Sequence, residues 1–247
     1  ILARILVVAP NWIGDALMAQ PLLARLRARL LAQPGGGRID VLAPPWVAPV
    51  ARRMPEVSEV IEADLRHGEL QLGERWRLGR ELKARGYDRA FVLPNTMKSA
   101  LAPSFAGIPL RVGYLGESRV GLLNRIHKAT QAREPMPVHY ARLAEHPGIE
   151  PELPLPFPTL KFNTEEIKKT SARFGISGAY TVLCPGAEYG PAKRWPYFRE
   201  LAAQLGSQIV LLGSSADKKT AEQVPGRNLV GQTTLDGGAY LNLVSQF

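Results

Sequence analysis

Short apolar runs alternate with stretches of helical periodicity along the first half of the chain. Runs of buried-strand type occur at residues 5–9, 39–43, 60–61 and 89–93. Between and after them, residues 16–31, 46–54, 75–85 and 99–106 carry apolar positions at helical spacing. Strand, helix and strand in this order predict a parallel sheet covered by helices on both faces.

The pattern restarts after residues 147–158, which hold five prolines and predict a stiff linker. A capping sequence at 163–166 predicts a helix start. Strands are expected at 180–183 and 209–212, with helices at 196–205 and 216–223. The prediction is an α/β protein of two Rossmann-like domains facing a cleft, residues 1–158 with the linker and residues 159–247. With only two convincing strands, the second domain is expected to be incomplete in this chain.

Composition and cysteine content restrict the class of protein. The chain has 247 residues, 45% of them hydrophobic and 21% charged, as in ordinary globular proteins. No apolar run is long enough for a membrane span, and the start of the chain lacks a signal-peptide pattern. One cysteine, Cys184, cannot form an intrachain disulfide. We therefore expect a cytoplasmic protein.

Net charge points to anionic partners. The chain carries +9, and its arginines are scattered without an aromatic ladder, so no nucleic-acid partner is predicted. A phosphorylated substrate near a membrane surface explains the charge equally well. The four histidines show no metal-ligand spacing, and we expect neither a metal site nor a cofactor.

Residues 184–196 are the clearest candidate for a ligand-binding loop. Glycines followed by two cations and a helix start are a recurrent way to hold a diphosphate, which favours Gly186, Lys193 and Arg194 as contacts. A solvated basic loop is the alternative. Glu188 either reaches a ribose hydroxyl or pairs with Lys193.

A second glycine-containing turn follows the strand at 209–212. Gly213 and Ser214 would let a base or ribose lie against the backbone. A plain strand-to-helix turn with a serine cap is the commoner explanation.

Polar residues also follow two strands of the first domain. Asp15 follows the first strand, where it either accepts a proton from a substrate hydroxyl or caps the next helix. Asn95, Thr96 and Lys98 follow the strand at 89–93 and are expected to face the same cleft. Lys98, with Arg111 and Arg119, is a candidate for binding an anionic acceptor.

With these segments placed, the chain resembles the ADP-heptose:lipopolysaccharide heptosyltransferases of glycosyltransferase family 9, closest to the heptosyltransferase II type. The resembling stretches follow the family's order and cover nearly the whole chain. They are residues 5–15, 87–100, 105–109, 111–114 and 184–196.

The resemblance implies the GT-B glycosyltransferase fold and an inverting transfer that needs no metal. The implied donor is ADP-L-glycero-D-manno-heptose, and the implied acceptor is the anionic heptosyl-Kdo2-lipid A inner core at the inner face of the inner membrane. Asp15 matches the family's catalytic base, and Lys193 matches its diphosphate-contacting lysine. We assign donor contacts to Gly186, Glu188, Lys193, Arg194, Gly213 and Ser214, and acceptor contacts to Asn11, Trp12, Asn95, Thr96, Lys98 and Arg119.

Two alternatives remain at this point: a GT-B enzyme that uses another nucleotide-sugar, and a non-catalytic module that binds anions. The sequence also departs from the family in one place. The family's second domain continues into an Asp-Ser-Gly segment followed by a histidine and a run of alanines, which these 247 residues do not contain.

Overall fold

The chain folds as two compact units, Ile1–Lys161 and Phe162–Phe247. A computed structural model describes residues 2–65, 69–129 and 134–233. The division falls three residues after the end of the first predicted domain, so the proline-rich segment belongs to the first unit.

The first unit is built on a sheet of six parallel strands in the order β3-β2-β1-β4-β5-β6. This is the strand order of a dinucleotide-binding Rossmann sheet. The predicted parallel sheet is confirmed, and the structure adds two strands that the apolar pattern did not predict. The strands are β1 (Ala3–Val8), β2 (Gly37–Ala43), β3 (Glu59–Glu62), β4 (Arg89–Val92), β5 (Leu110–Tyr114) and β6 (Arg125–His127).

Helices cover both faces of this sheet because the strands are apolar on both sides. Leu6 and Val8 of β1 pack with Leu78, Leu82 and Ala102 on one face. Ile5 and Val7 point to the opposite face, since successive side chains of a strand alternate. The helices of the unit are α1 (Ile13–Met18), α2 (Gln20–Leu31), α3 (Ala48–Ala51), α4 (Leu72–Ala84), α5 (Leu101–Phe105) and α6 (Met136–Arg142).

The predicted continuous helix at residues 16–31 is wrong, because the chain forms two helices, α1 and α2, that meet at Ala19. Pro21 lies in the first turn of α2. Proline has no backbone N–H to donate, and it is tolerated at a helix start but not in an interior. The break therefore places Asp15 on a short helix of its own.

The second unit contains a sheet of three parallel strands in the order β7-β8-β9, with apolar residues packed on both faces. The predicted helix start is confirmed, because the Asn163 side chain accepts from the backbone N–H of Glu165 at 2.9 Å. A third strand joins the two predicted ones. The elements are α7 (Thr164–Arg173), β7 (Tyr180–Leu183), α8 (Phe198–Gln204), β8 (Gln208–Leu211), α9 (Lys218–Ala221) and β9 (Arg227–Asn228).

Candidate functional site

Asp15 lies in the turn that leads out of β1, as the third residue of α1. The interpretation of Asp15 as the helix cap is wrong, because Trp12 occupies the N-cap position and no side chain caps the helix. Within the described residues, the half-buried Asp15 carboxylate has no hydrogen bond and no ion pair. Both of its oxygens are therefore available to accept a proton or a hydrogen bond.

Tyr140 of α6 interacts electrostatically with the Asp15 carboxylate. The Tyr140 side chain is buried, and burial raises the pKa of its phenol, with the negative charge of Asp15 adding to the effect. Tyr140 therefore keeps its proton near neutral pH and remains an uncharged side chain that can still donate its hydroxyl hydrogen. The sequence contained no sign of this neighbour, because the two residues are far apart in the chain.

The buried side chain of Arg119 supports the loop that follows β4. Its Nη1 donates to the Pro94 carbonyl at 2.6 Å, and its Nη2 donates to Asn95 Oδ1 at 3.3 Å and to the Tyr114 carbonyl. The side chain is 0% exposed, and burial lowers the pKa of its guanidinium. Arg119 thus supports the loop. Because its side chain is fully buried, it cannot make the predicted direct contact with an acceptor in this conformation.

A pocket of about 60 Å³ opens at the carboxyl ends of β1, β2 and β4, which we call the carboxyl-edge pocket. Parallel α/β sheets bind ligands at this edge, beside the point where the strand order reverses. Three of the predicted acceptor residues line it, whereas Trp12, Asn95 and Arg119 do not. Its polar lining residues are Asn11, Arg75, Thr96, Lys98 and Ser99.

Arg75 is the pocket residue that sequence reasoning missed. It is only 4% exposed, and its Nε and Nη1 donate to the carbonyls of Leu70 at 2.7 Å and Lys98 at 2.9 Å. Burial lowers its pKa. Among the described residues that line the pocket there is no carboxylate, so Arg75 and Lys98 make it a basic pocket. The sequence pattern indicated only that a helix begins at this residue.

Backbone contacts fix the shape of the two loops around this pocket. Trp46 Nε1 donates to the Asn11 carbonyl at 2.7 Å, which anchors the loop that leads into α1 and Asp15. A Cβ on Gly116 would lie 2.3 Å from the Asn95 carbonyl oxygen, so only glycine allows this approach. Asn95 itself is exposed, and Thr96 and Lys98 are half-buried.

In the second unit, the loop at 184–196 ends in a short 3-10 helix, Pro191–Lys193. Gly190 begins that turn with a φ of 82°, a conformation that favours glycine. Lys193 and Glu188 are both exposed, and no ion pair between them occurs in the described part of the chain. The alternative in which Glu188 pairs with Lys193 is therefore wrong for this structure.

A pocket of about 500 Å³ lies beside this loop, between α8 and α9. Arg194 and Trp195 contribute to its wall, and Trp195 is 49% exposed, packed edge-on to Phe198 at 5.3 Å. Trp195 therefore lies on the pocket surface and not in the core beneath α8. The further charged residues in the lining are Arg199, Glu200 and Lys219.

Gly186, Gly213 and Ser214 surround the side chain of Asp217, at the end of the 3-10 helix Ser215–Asp217. Asp217 Oδ2 accepts from the backbone N–H of Ser214 at 3.0 Å and from its hydroxyl at 2.7 Å. A Cβ on Gly186 would lie 2.1 Å from the carboxyl carbon of Asp217, and one on Gly213 would lie 3.1 Å from Oδ2. The serine cap is the interpretation that the structure supports. The space that we assigned to a ligand beside Gly186 holds a carboxylate instead.

Residues 2–65, 69–129 and 134–233 contain neither a candidate metal site nor a membrane-spanning helix. No group of three or more His, Cys, Asp or Glu side chains in these ranges could hold a metal ion. His67 lies outside the described residues. Every helix in the same ranges is too short or too polar to cross a bilayer.

With this geometry in place, residues 75–243 match the model of glycosyltransferase family 9 (heptosyltransferase), which is more than half of the chain. This chain belongs to glycosyltransferase family 9. Membership confirms the predicted enzyme class, a glycosyltransferase, and removes the alternative of a non-catalytic anion-binding module.

Two curated family 9 proteins show how near the relationship is. The chain is 44% identical to lipopolysaccharide heptosyltransferase 2 of Escherichia coli K12, over 96% of this chain and 74% of that protein. It is 42% identical to lipopolysaccharide heptosyltransferase 2 of Salmonella typhimurium LT2, over the same shares.

A solved family 9 structure confirms the fold. The E. coli ADP-heptose LPS heptosyltransferase II superposes with a TM-score of 0.82 at 41% identity, covering 95% of this chain and 75% of that one. The predicted pair of Rossmann-like units is thereby confirmed. A cleft shared by the two units stays a prediction.

Proposed function

We propose that this chain transfers heptose from ADP-L-glycero-D-manno-heptose to the heptosyl-Kdo2-lipid A inner core of lipopolysaccharide, with inversion at the anomeric carbon. The donor and the lipopolysaccharide acceptor follow from the names of its relatives. The observation that carries the proposal is Asp15, a carboxylate without a hydrogen-bond or ion-pair partner in the described residues. It lies in the first turn of α1, after the loop whose Asn11 lines a basic pocket.

The carboxyl-edge pocket supplies the acceptor side of this proposal. Arg75 and Lys98 give it positive charge, and Asn11 and Thr96 give it neutral hydrogen-bonding groups. Such a lining suits a saccharide that carries carboxylates or phosphates, as charge-assisted hydrogen bonds to those groups are roughly twice as strong as neutral ones. The inner core is a saccharide of this kind.

In the proposed reaction, an acceptor hydroxyl attacks the anomeric carbon of the donor heptose. The hydroxyl proton passes to Asp15, a new glycosidic C–O bond forms, and the bond from the anomeric carbon to the ADP phosphate oxygen breaks. ADP leaves with the electron pair of that bond. General-base catalysis of this type contributes roughly 10²- to 10⁴-fold to a rate.

Lys193 and Arg194 are the proposed contacts for the departing diphosphate. Lys193 is exposed and pairs with no carboxylate in the described residues, so its charge is free to neutralise phosphate oxygens. Arg194 lines the second-unit pocket, where the half-exposed Trp195 offers a flat surface to a nucleotide. That Asp15 and Lys193 act on the same pair of substrates stays a prediction.

The test is a transfer assay with the full 247-residue chain, ADP-heptose and a heptosyl-Kdo2-lipid A acceptor, with product analysed by mass spectrometry and anomeric NMR. We expect one added heptose of inverted configuration and no product with UDP-sugars. Lys193→Ala is expected to raise the KM for ADP-heptose at least about tenfold. The matched control is Lys168→Ala, an exposed lysine on α7 that pairs with Glu165.

Transfer from a UDP-sugar in place of ADP-heptose would contradict the assigned donor. An unchanged KM in Lys193→Ala would contradict the donor contact while leaving the reaction class intact.

We also propose that the chain acts at the cytoplasmic face of the inner membrane. The net charge of +9 favours an anionic surface, and the proposed acceptor is itself a lipid. Sedimentation with vesicles containing anionic lipid, compared with neutral vesicles, tests this, and equal recovery with both would contradict it.

A further inference from the structure

A second basic cavity, of about 300 Å³, lies at the amino ends of the strands in the first unit. We call it the amino-edge cavity. Ile5 of β1 is in register with Arg89 of β4, and Arg89 is in register with Leu110 of β5. Aligned residues of parallel strands point to the same face of a sheet, so these three side chains form one row of the cavity wall.

The next row on that face contains Phe91 of β4, Val112 of β5 and Arg125 of β6, which are also in register. Phe91 and Arg125 line the cavity beside the first row. From strand spacing, the Cα atoms of Arg89 and Arg125 lie about 12 Å apart, two strands across and one side-chain repeat along. At this separation the two guanidinium groups can both contact one anion that lies between them, above Leu110.

Helix α2 and the segment after α6 cover the cavity. Leu26 and Leu30 of α2 give it apolar walls, and Arg29 also lines it. Arg29 is already engaged, because it donates to Glu145 and to the Ala144 carbonyl. Glu145 accepts from Arg25 as well, so this one carboxylate serves two arginines.

Arg89 and Arg125 have no carboxylate partner of this kind in the described residues. Neither makes a side-chain hydrogen bond or ion pair in the described part of the chain, and none of the described lining residues is a carboxylate. His146 lines the same cavity. The pKa of the neighbouring His127 is lowered by burial and then by the charges of Arg125, Arg142 and His146. The electrostatic potential beside the cavity is therefore positive.

We propose that the amino-edge cavity binds a small organic phosphate, with the phosphate between Arg89 and Arg125 and the nonpolar part against Phe91, Leu26 and Leu30. Guanidinium groups bind phosphate through paired hydrogen bonds, and the apolar walls stabilise a carbon skeleton. The cavity volume is at the small end of the roughly 300–1,000 Å³ of typical ligand pockets.

This site is separate from the one used in the proposed transfer reaction. The amino-edge cavity and the carboxyl-edge pocket lie at opposite ends of the strands and share no lining residue. The ligand of the cavity is therefore not a substrate placed for attack on the donor. Its binding and the transfer reaction can succeed or fail independently.

Isothermal titration of the full 247-residue chain with phenyl phosphate and with inorganic phosphate tests the proposal. We expect saturable binding, tighter for phenyl phosphate because of the apolar walls. Arg89→Gln and Arg125→Gln are each expected to weaken it at least about tenfold, as charge-assisted hydrogen bonds are lost. The matched control is Arg80→Gln, an exposed arginine of α4, with affinity expected within about twofold of the parent.

Absence of saturable binding overturns the proposal. So does binding that survives both cavity substitutions but is lost in Lys98→Ala or Lys193→Ala, because the phosphate would then occupy one of the other basic sites. Thermal unfolding of each variant checks its folding, and either cavity variant alone suffices if the other does not fold.

Discussion

Two aspartates of this protein occupy similar places and differ in every contact. Asp15 and Asp217 each follow a parallel strand, in the turn that starts the next helix. Asp217 accepts two hydrogen bonds from Ser214 and fills the space beside Gly186. Asp15 has no side-chain partner in the described residues.

The contrast shows that position at the carboxyl edge of a sheet does not decide what a carboxylate does. A carboxylate engaged by its own turn stabilises that turn, and it is a poor proton acceptor because its charge is already satisfied. A carboxylate left without partners contributes little to stability and stays available to substrate. On this basis we propose that Asp15 takes part in the reaction, whereas the contacts of Asp217 stabilise its turn.

The largest effect expected from this comparison is on activity. Asp15→Asn removes the base without changing shape, so heptosyl transfer is expected to fall roughly 10²- to 10⁴-fold with the thermal midpoint unchanged. Asp217→Asn is the matched substitution, and it should lower the midpoint while leaving kcat within a few fold of the parent. Transfer rates and thermal scans of both variants measure this. Near-normal kcat in Asp15→Asn would break the comparison.

A second expected effect concerns the space that Asp217 occupies. Gly186→Ala places a methyl group where the Asp217 carboxylate lies, and overpacking of this type costs about 1–3 kcal/mol of unfolding free energy. In the Gly186→Ala/Asp217→Ala double variant much of that cost should disappear, because the clash is removed. Urea denaturation of the cycle measures the coupling.

Gly73→Ala is the control for this cycle, since a Cβ there meets nothing within 4 Å. Strictly additive effects of Gly186→Ala and Asp217→Ala would show that the two groups do not compete for the space.

The comparison of partnered and unpartnered groups extends to two histidines. His139 contacts Glu134 at 3.1 Å, whereas buried His127 has no hydrogen bond to either ring nitrogen from the described residues. Burial lowers the pKa of His127 below its usual 6.5, so the unfolded chain binds the proton more readily. Stability should therefore fall as pH drops below about 6.5, by at most about 1.4 kcal/mol per unit from this group.

His127→Phe is expected to flatten that part of the stability curve, measured by urea denaturation between pH 7.5 and 5.5. His146 is exposed and is the smallest of the causes that lower the His127 pKa, so His146→Gln should change the curve much less than His127→Phe does. An identical pH dependence in the parent and in His127→Phe would contradict the assignment.

The smallest effect is expected at the serine cap itself. Ser214→Ala removes the hydroxyl that donates to Asp217 but leaves the backbone hydrogen bond, so a loss of about 1 kcal/mol or less is expected. Thermal unfolding measures it. Activity should not change, and a large fall in donor affinity would instead restore Ser214 as a ligand contact.

Much of the fold was predictable because buried strands of a parallel sheet are continuous apolar runs. Strands β1, β2 and β4 stood out in this way, and Asn163 marked the start of α7. Strand β6 did not, since its residues include Arg125 and His127. Its place at the sheet edge depends on pairing with β5 rather than on its own composition.

The site was less predictable because the role of each side chain depends on its contacts, and the contacting residues are distant in the chain. Asp15, Lys98 and Lys193 could be named from local patterns and from family resemblance. Arg119 could not be distinguished from a surface arginine, although it lies buried against Pro94 and Tyr114. Gly186 looked like a ligand-binding glycine, yet what approaches it is Asp217.

The amino-acid sequence by itself determined the parallel α/β architecture, the family and the candidate base, because periodicity and short motifs are local properties. Only the tertiary structure decided which charged groups are satisfied and which are left open. That outcome depends on contacts such as Asp15 near Tyr140 and Glu145 with Arg29, which folding alone brings together. A charge acquires its role from the groups that surround it, and those groups come from every part of the chain.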